Sequence, residues 1–138
     1  MTHLVAGKRV LIVEDDDILA ITLTEELAAQ GVEVIGPSAT VVDALDVIAH
    51  TDLDGAIVDI NLRGKAAFPV SDALADRHIA FVFATGYLVA GHIPVRHANV
   101  RRFEKPIPPS VICRALEEVM HEASDRGANK WGDPKAAP

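Results

Sequence analysis

Five side chains with complementary chemistry each follow a segment that has the pattern of a β-strand. They are Glu14, Asp15, Asp59, Thr85 and Lys105. Most of the segments before them are unbroken apolar runs, as expected for strands that helices cover on both faces. The carboxyl ends of parallel strands lie at one edge of a sheet. If the strands are parallel, three carboxylates, a hydroxyl and an ammonium group converge there.

This combination of residue types suits phosphoryl transfer. Carboxylates in close proximity repel one another and take up protons unless a cation lies between them. A hard divalent cation, Mg²⁺ or Mn²⁺, would relieve that repulsion and keep positions open for water and phosphate. Asp59 could then attack phosphorus and form an aspartyl phosphate. The cation and Lys105 would neutralise charge on the phosphoryl oxygens, Thr85 could donate its hydroxyl to them, and Gly86 leaves room for the group.

Each of these residues also has an ordinary structural interpretation. Acids after a strand are often helix caps, which suits Asp16 and Asp17 well. A lone Asp59 or Thr85 would more often be a turn residue, and Lys105 a surface lysine. The conjunction favours a site, because four of the five predicted strand ends carry a residue that one mechanism requires.

The chain alternates strand-like and helix-like segments. Strands are predicted at residues 9–13, 32–35, 56–59, 79–84 and 100–104, the second ending before Gly36. Helices are predicted between them, with Gly31 ending the first and Ser38 or Thr40 capping the second. Residues 60–68 are expected to be a loop, and a fourth helix within 85–99 to be short or irregular, because two glycines and Pro94 interrupt it. The pattern predicts an α/β fold with a five-stranded, doubly wound parallel sheet of flavodoxin-like order 2-1-3-4-5 and helices on both faces.

Composition limits the possible functions. The 138 residues, 49% of them hydrophobic, suit one domain at residues 8–123, after a leader at 1–7 and before a flexible tail at 124–138. A formal net charge of −7 disfavours direct binding to nucleic acid or to a membrane surface, since phosphate affinity depends on Lys and Arg. The single cysteine, Cys113, and the lack of a spanning apolar run predict a cytoplasmic protein. The six histidines lack metal-ligand spacing, so we expect them at the surface or at helix ends.

Four pieces of sequence together resemble the receiver domains of two-component response regulators, over about residues 8–123. These are Val-Leu-Ile-Val-Glu14-Asp15-Asp, Ala-Ile-Val-Asp59-Ile-Asn61, Ala84-Thr85-Gly86 and Lys105-Pro106. The resemblance implies phosphorylation of Asp59, and a metal site formed by Glu14, Asp15, Asp59 and the backbone carbonyl of Asn61. It further implies a switch hydroxyl on Thr85, a phosphate-pairing ammonium on Lys105 and a cis peptide bond before Pro106.

Residues 83–87, Phe-Ala-Thr-Gly-Tyr, resemble the signature of single-domain receivers in bacterial stress signalling. Three departures from ordinary receivers fit that subgroup. Leu62-Arg63 replaces the usual Met-Pro, the fourth helix is poorly encoded, and Arg102 replaces an aromatic residue three positions before Lys105. In ordinary receivers that aromatic ring turns inward behind the threonine. We therefore expect the coupling between the threonine and the ring to differ here. We hypothesise that Tyr87 serves instead; the alternative is a ring that only covers the site. Gly86 and Arg102 are further candidates for tuning the switch.

The resemblance implies a signalling switch rather than an enzyme. A sensor histidine kinase or histidine phosphotransfer protein would donate to Asp59, and a monomer or weak homodimer would signal through a downstream protein partner. A phosphate sink or a phosphorylation-independent adaptor is the alternative. An aspartyl-phosphate phosphatase is disfavoured, because it needs a second acid two residues after the nucleophile, where Asn61 stands. A Gly-rich nucleotide loop is disfavoured because acids, not glycines, follow the first strand.

Overall fold

The computed structural model describes residues 5–86 and 93–132, and the side chains of residues 5–86 and 93–123. Five parallel strands form a sheet in the order β2-β1-β3-β6-β7. Their bounds are Arg9–Val13 (β1), Glu33–Ser38 (β2), Gly55–Asp59 (β3), Ala80–Thr85 (β6) and Arg102–Glu104 (β7). A short antiparallel hairpin, Asn61–Leu62 (β4) with Lys65–Ala66 (β5), follows β3. When the two hairpin strands are left out of the numbering, the order of the sheet is 2-1-3-4-5, which confirms the prediction.

Helices cover both faces of the sheet and enclose two separate cores. The helices are Asp17–Ala29 (α1), Val41–His50 (α2), Phe68–Asp76 (α3) and Pro109–Gly132 (α4), with a 3-10 turn at Val95–His97. Val10 and Ile12 belong to the core beneath α1 and α4. Leu11 and Val13 belong to the core beneath α2 and α3. Because neighbouring residues of one strand fill opposite cores, the apolar runs show no alternation.

The ends of the first two helices follow the capping chemistry of the sequence. The Asp16 side chain accepts hydrogen bonds from the backbone N–H groups of Ile18 and Leu19 at 3.0 and 3.3 Å, so it is the N-cap of α1. Thr40 caps α2 through the N–H of Asp43 at 3.1 Å. Ser38, the other predicted cap, instead ends β2, where its carbonyl accepts from the N–H of Glu14.

Three sequence expectations need correction. The second strand does not end before Gly36: β2 continues through Gly36-Pro37 to Ser38, with an irregular register opposite Leu11 and Val13. Residues 60–68 are not all loop, because Asn61–Ala66 pair as a hairpin. Residues 124–132 continue α4 where a flexible tail was expected, because Gly127 lowers helix stability by only about 1 kcal/mol and no proline intervenes before Pro134. The rest of that segment, 133–138, lies outside the described residues.

The described part of segment 85–99 fits the expected short or irregular fourth helix. Within the described part of segment 85–99, the helical structure is the 3-10 turn Val95–His97, which follows Pro94. Residues 87–92, including Tyr87, lie outside the described residues. None of the described helices combines the length and the apolar character that crossing a membrane requires.

Gly31 ends α1 in the left-handed conformation, with φ +84°, and a Cβ there would lie 3.2 Å from the Cβ of Ala6. Gly7 has a similar φ, +80°, but a Cβ there would meet nothing within 4 Å. We expect each glycine-to-alanine change to lower the free energy of unfolding by about 1–2 kcal/mol through backbone strain. Gly31→Ala should cost more than Gly7→Ala because Ala6 must also move. Urea unfolding measures both, and equal losses would contradict the steric contribution.

Candidate functional site at the carboxyl edge of the sheet

The carboxyl edge of the sheet brings three acids and one lysine together. Glu14 and Asp15 follow β1, Asp59 ends β3, and Lys105 follows β7. One carboxylate oxygen from each of the three acids lies within 4.8 Å of the others. The Lys105 Nζ lies 2.8 Å from Oε1 of Glu14 and 3.1 Å from Oδ2 of Asp59. The ammonium group therefore bridges two acids that stand on adjacent strands.

Burial makes the charge state of Glu14 sensitive to its surroundings. Its side chain is 1% exposed and that of Asp59 is 5% exposed. Burial raises the pKa of Glu14 to about 7, and the negative charge of Asp59 acts in the same direction. The hydrogen bond from Lys105 opposes the rise without cancelling it. Glu14 therefore exchanges its proton near neutral pH when no further cation is present.

Lys105 keeps its charge at this half-buried position. Burial lowers its pKa, but the hydrogen bond to Glu14 and the charges of Asp59 and Glu14 outweigh burial, so the pKa lies above its ordinary value. The Lys105 N–H donates to the carbonyl of Thr85 at 2.7 Å, which holds the residue against the end of β6. The Lys105–Pro106 bond is cis, as the resemblance implies. Backbone pairing therefore places the ammonium group beside the acids.

A backbone N–H orients each of the three carboxylates. Asp16 donates to Oε2 of Glu14 at 3.0 Å, and Asn61 donates to Oδ1 of Asp59 at 3.0 Å. The hairpin supplies the third donor, since the N–H of Arg63 bonds to Oδ2 of Asp15 at 2.9 Å. Each carboxylate thus keeps a second oxygen for another partner. Hydrogen bonds of this kind to charged groups are worth about 1.5–3 kcal/mol each.

The donor set fits a hard divalent cation. Three carboxylates face one ammonium group, so the cluster has an excess of negative charge, and oxygen is the ligand type that Mg²⁺ prefers. Glu14, Asp15 and Asp59 are the residues that would hold it. The backbone carbonyl of Asn61 is predicted as a further ligand. Its side-chain Oδ1 is already engaged, because it accepts from the N–H of Gly64 at 2.9 Å.

Comparison with solved structures finds close matches, whereas no protein-family model and no curated protein matches the sequence. SdrG from Sphingomonas melonis Fr1 is 33% identical, with a TM-score of 0.70, over 83% of this chain and 96% of that chain. SdrG in its BeF3-activated conformation, from Pseudomonas melonis Fr1, is 35% identical, with a TM-score of 0.64, over 80% and 93% of the two chains.

Two further matches are receiver domains. The response regulator receiver domain protein (CheY-like) from Methanospirillum hungatei JF-1 is 24% identical, with a TM-score of 0.76, over 86% of this chain and 98% of that chain. The signal receiver domain of a modulated diguanylate cyclase from Desulfovibrio desulfuricans G20 is 26% identical, with a TM-score of 0.75, over the same shares. The chain belongs to the CheY-like receiver domains of response regulators. The receiver has the fold and the acidic cluster that its sequence predicts.

The switch candidates of the receiver differ in their surroundings. Thr85 is buried at the end of β6, one residue beyond Ala84, which pairs with Asp59. A Cβ added at Gly86 would meet nothing within 4 Å, so space is open beside Thr85. Arg102 is exposed on β7, where it pairs in register with Phe83. Tyr87 lies outside the described residues, so its role in the receiver stays a prediction.

One of the described histidines is buried, although it ends a helical turn as the sequence analysis allows. His97 is 3% exposed rather than at the surface. Its ring packs against the rings of Phe68, Phe81 and Phe83. In the sequence His97 belongs to the basic run 96–102, which is distant along the chain from all three phenylalanines and shows no apolar periodicity. Its burial follows from packing between β6 and α3, which a local pattern does not encode.

The raised pKa of Glu14 predicts a pH-dependent effect of Mg²⁺ on the receiver. The pKa rises from an ordinary 4.5 to about 7 on folding. The stability that the bound proton contributes is therefore complete below about pH 4.5 and is lost as the pH rises through about 7. Mg²⁺ competes with that proton, so its apparent affinity should fall about tenfold from pH 8 to pH 6. Thermal unfolding with and without Mg²⁺ at both pH values measures this.

Glu14→Gln is the matched control for this pH dependence. It should bind Mg²⁺ more weakly at both pH values and lose most of the difference between them, because the titrating group is absent. A Mg²⁺-induced shift in Tm that is the same at pH 6 and pH 8 in the unchanged protein would contradict the assignment of the raised pKa to Glu14.

The hairpin predicts a second effect on metal affinity. Asn61→Ala removes the acceptor that holds the N–H of Gly64, which loosens the turn whose Arg63 N–H orients Asp15. The backbone carbonyl of residue 61 is retained. We expect Mg²⁺ affinity to fall about tenfold, as for other partners that orient a metal ligand. Calorimetric titration with Mg²⁺ measures it. Lys65→Ala, an exposed change on the same hairpin, is the control, and equal affinities for the two variants would contradict the role of the turn.

Proposed function

We propose that this receiver accepts a phosphoryl group on Asp59 from a sensor histidine kinase or a histidine phosphotransfer protein, and signals through contacts with a downstream protein. The observation that carries the proposal is the position of Asp59. Its carboxylate is oriented by the N–H of Asn61, lies 3.1 Å from the ammonium group of Lys105, and belongs to the cluster with Glu14 and Asp15.

The chemistry needs positioning and charge rather than a general acid. A carboxylate oxygen of Asp59 forms a bond to phosphorus while the bond from phosphorus to the donor imidazole nitrogen breaks, and that nitrogen keeps the electron pair. Lys105 stands where it can pair with the phosphoryl oxygens. Thr85 can donate its hydroxyl to the same group, and the open space at Gly86 admits it. A bound Mg²⁺ would neutralise charge on the phosphoryl oxygens.

The Phe-Ala-Thr-Gly-Tyr sequence of residues 83–87 supports the single-domain subgroup and a place in stress signalling. SdrG, which is more similar in sequence to this chain than the two receiver domains described above, is known in a BeF3-activated conformation. Within that subgroup Tyr87 is our candidate for a residue that responds when Thr85 binds the phosphoryl group. If Tyr87→Ala left both phosphorylation and partner affinity unchanged, this role would be wrong.

Two competing functions differ in what they require of the site. A phosphatase needs a carboxylic acid at position 61, and the Asn61 amide there accepts from Gly64 within the hairpin. An adaptor that works without phosphorylation does not need a half-buried lysine shared between Glu14 and Asp59. A phosphate sink uses the same transfer chemistry, and differs only in having no downstream partner that responds to the phosphorylated form.

Phosphorylation of Asp59 can be tested by mass spectrometry of the intact protein. We expect a mass increase of one phosphoryl group after incubation with Mg²⁺ and acetyl phosphate or a purified histidine kinase. Asp59→Asn should abolish the increase because an amide oxygen is a poor nucleophile. Asp16→Asn is the matched control: it changes an acid beside the site but keeps a good N-cap, so labelling should persist. The proposal would be refuted if the Asp59→Asn protein were labelled, or if no donor labelled the unchanged protein.

A further inference from the structure

A buried histidine lies between the strand that carries Thr85 and helix α3. The ring of His97 meets Phe83 edge-on, with centroids 6.0 Å apart, and Phe81 edge-on at 5.8 Å. It stacks against Phe68 at 6.3 Å with an interplanar angle of 24°. Phe81 and Phe83 belong to β6, and Phe68 begins α3. His97 therefore completes an aromatic cluster that joins these two elements.

Hydrogen bonds tie the same imidazole to α3. Nε2 of His97 lies 2.8 Å from Oδ1 of Asp72 and 3.1 Å from Oγ of Ser71. Arg96 bonds to both oxygens of Asp72 at 2.6 and 2.8 Å, and those bonds hold the pKa of Asp72 below its ordinary value. An ionised carboxylate only accepts hydrogen bonds, so Nε2 carries the proton and donates it. Ser71 uses its hydroxyl proton on the carbonyl of Phe68 at 3.1 Å.

This arrangement is an anchor rather than a catalytic relay. A serine-histidine-aspartate relay needs the serine on one ring nitrogen and the aspartate on the other. Here Ser71 and Asp72 both contact Nε2, so a proton cannot pass through the ring from one to the other. Ser71 is also fully buried, so substrate cannot reach it. The bonds instead hold residues 95–97 against α3.

His97 packs on the face of the sheet from which Arg102 projects. Arg102 pairs with Phe83 across β6 and β7, so both residues project from the same face of the sheet. Thr85 projects from that face too, since side chains two residues apart share a face. Arg102 is exposed, whereas the ring of His97 packs on Phe83. Among the described residues between β6 and β7, His97 is thus the aromatic group in contact with the strand that ends in Thr85.

We infer that His97 is the positioning residue that couples the Thr85 end of β6 to helix α3. The inference rests on the proposed function, because Thr85 must engage a phosphoryl group for there to be a change to transmit. A shift at the end of β6 moves Phe83, and the His97 ring follows it. The Nε2–H bond then carries the shift to Asp72 and α3.

Hydrogen exchange of the full chain, with Mg²⁺ alone and with Mg²⁺ plus beryllofluoride as a phosphoryl mimic, tests this coupling. We expect beryllofluoride to change the protection of amides in residues 68–76. His97→Phe keeps an aromatic ring but lacks the Nε2 donor, so it should bind beryllofluoride with unchanged affinity and reduce the change in protection about threefold or more. His97→Gln keeps an N–H donor but loses the ring that packs on Phe83, so it should also reduce the response.

A second pair of variants keeps the test informative if His97→Phe does not fold. Asp72→Ala removes the partner of both His97 and Arg96 at a partly exposed position, and Arg96→Gln removes only the arginine bonds. The response should fall in Asp72→Ala and persist in Arg96→Gln. A residue that only stabilised the fold would alter protection equally with and without beryllofluoride, and would leave the difference between the two states unchanged.

The outcomes separate the inference from the proposed function. The coupling role alone would be overturned if His97→Phe and Asp72→Ala bound beryllofluoride normally and showed the same α3 response as the unchanged protein. No beryllofluoride binding by the unchanged protein would overturn the proposed function, and the coupling role with it. Binding that persists in His97→Phe together with a reduced α3 response, in that variant and in Asp72→Ala, would support the inference.

Discussion

The repulsion among three carboxylates at one edge of the sheet is the constraint on which the site depends. Two of them, Glu14 and Asp59, are almost fully buried, where an unpaired charge is costly. Lys105 relieves part of that cost by bridging both, and backbone N–H groups orient every acid in the cluster. Burial, together with the negative charge of Asp59, raises the pKa of Glu14 to about 7. The remaining excess of negative charge creates an affinity for a divalent cation.

The sheet maintains this costly arrangement because its two cores fix the register of each strand. Within β1, Ile12 packs beneath α1 and α4, whereas Val13 packs beneath α2 and α3. A slip of one residue would exchange the side chains between the two cores and would move Glu14 away from Lys105. Burial of one Leu or Ile is worth about 1.5–3 kcal/mol, so the apolar contacts of several strands outweigh the repulsion of the acids at their ends.

The surroundings of the site differ on its two sides. On the β1 and β3 side, backbone donors and the hairpin hold the acids, so this half is rigidly preorganised. On the β6 side, Thr85 borders the open space at Gly86, and the polar and aromatic cluster of His97 joins the strand to α3. The fixed ligands on one side suit the chemistry, whereas signalling needs an element with two arrangements, which we propose lies on the β6 side.

The order of the strands and the caps at Asp16 and Thr40 follow from the sequence. So does the convergence of Glu14, Asp15, Asp59 and Lys105. They follow because apolar runs, turn residues and caps are local patterns, and a parallel wound sheet necessarily gathers its strand ends. The hairpin at Asn61–Ala66, the continuation of α4 to Gly132 and the burial of His97 do not follow. Each depends on contacts between distant residues or on weak preferences that packing overrides. His97 is the clearest case, because a basic run predicts a surface, and only packing on Phe83 together with a carboxylate on α3 makes its burial favourable.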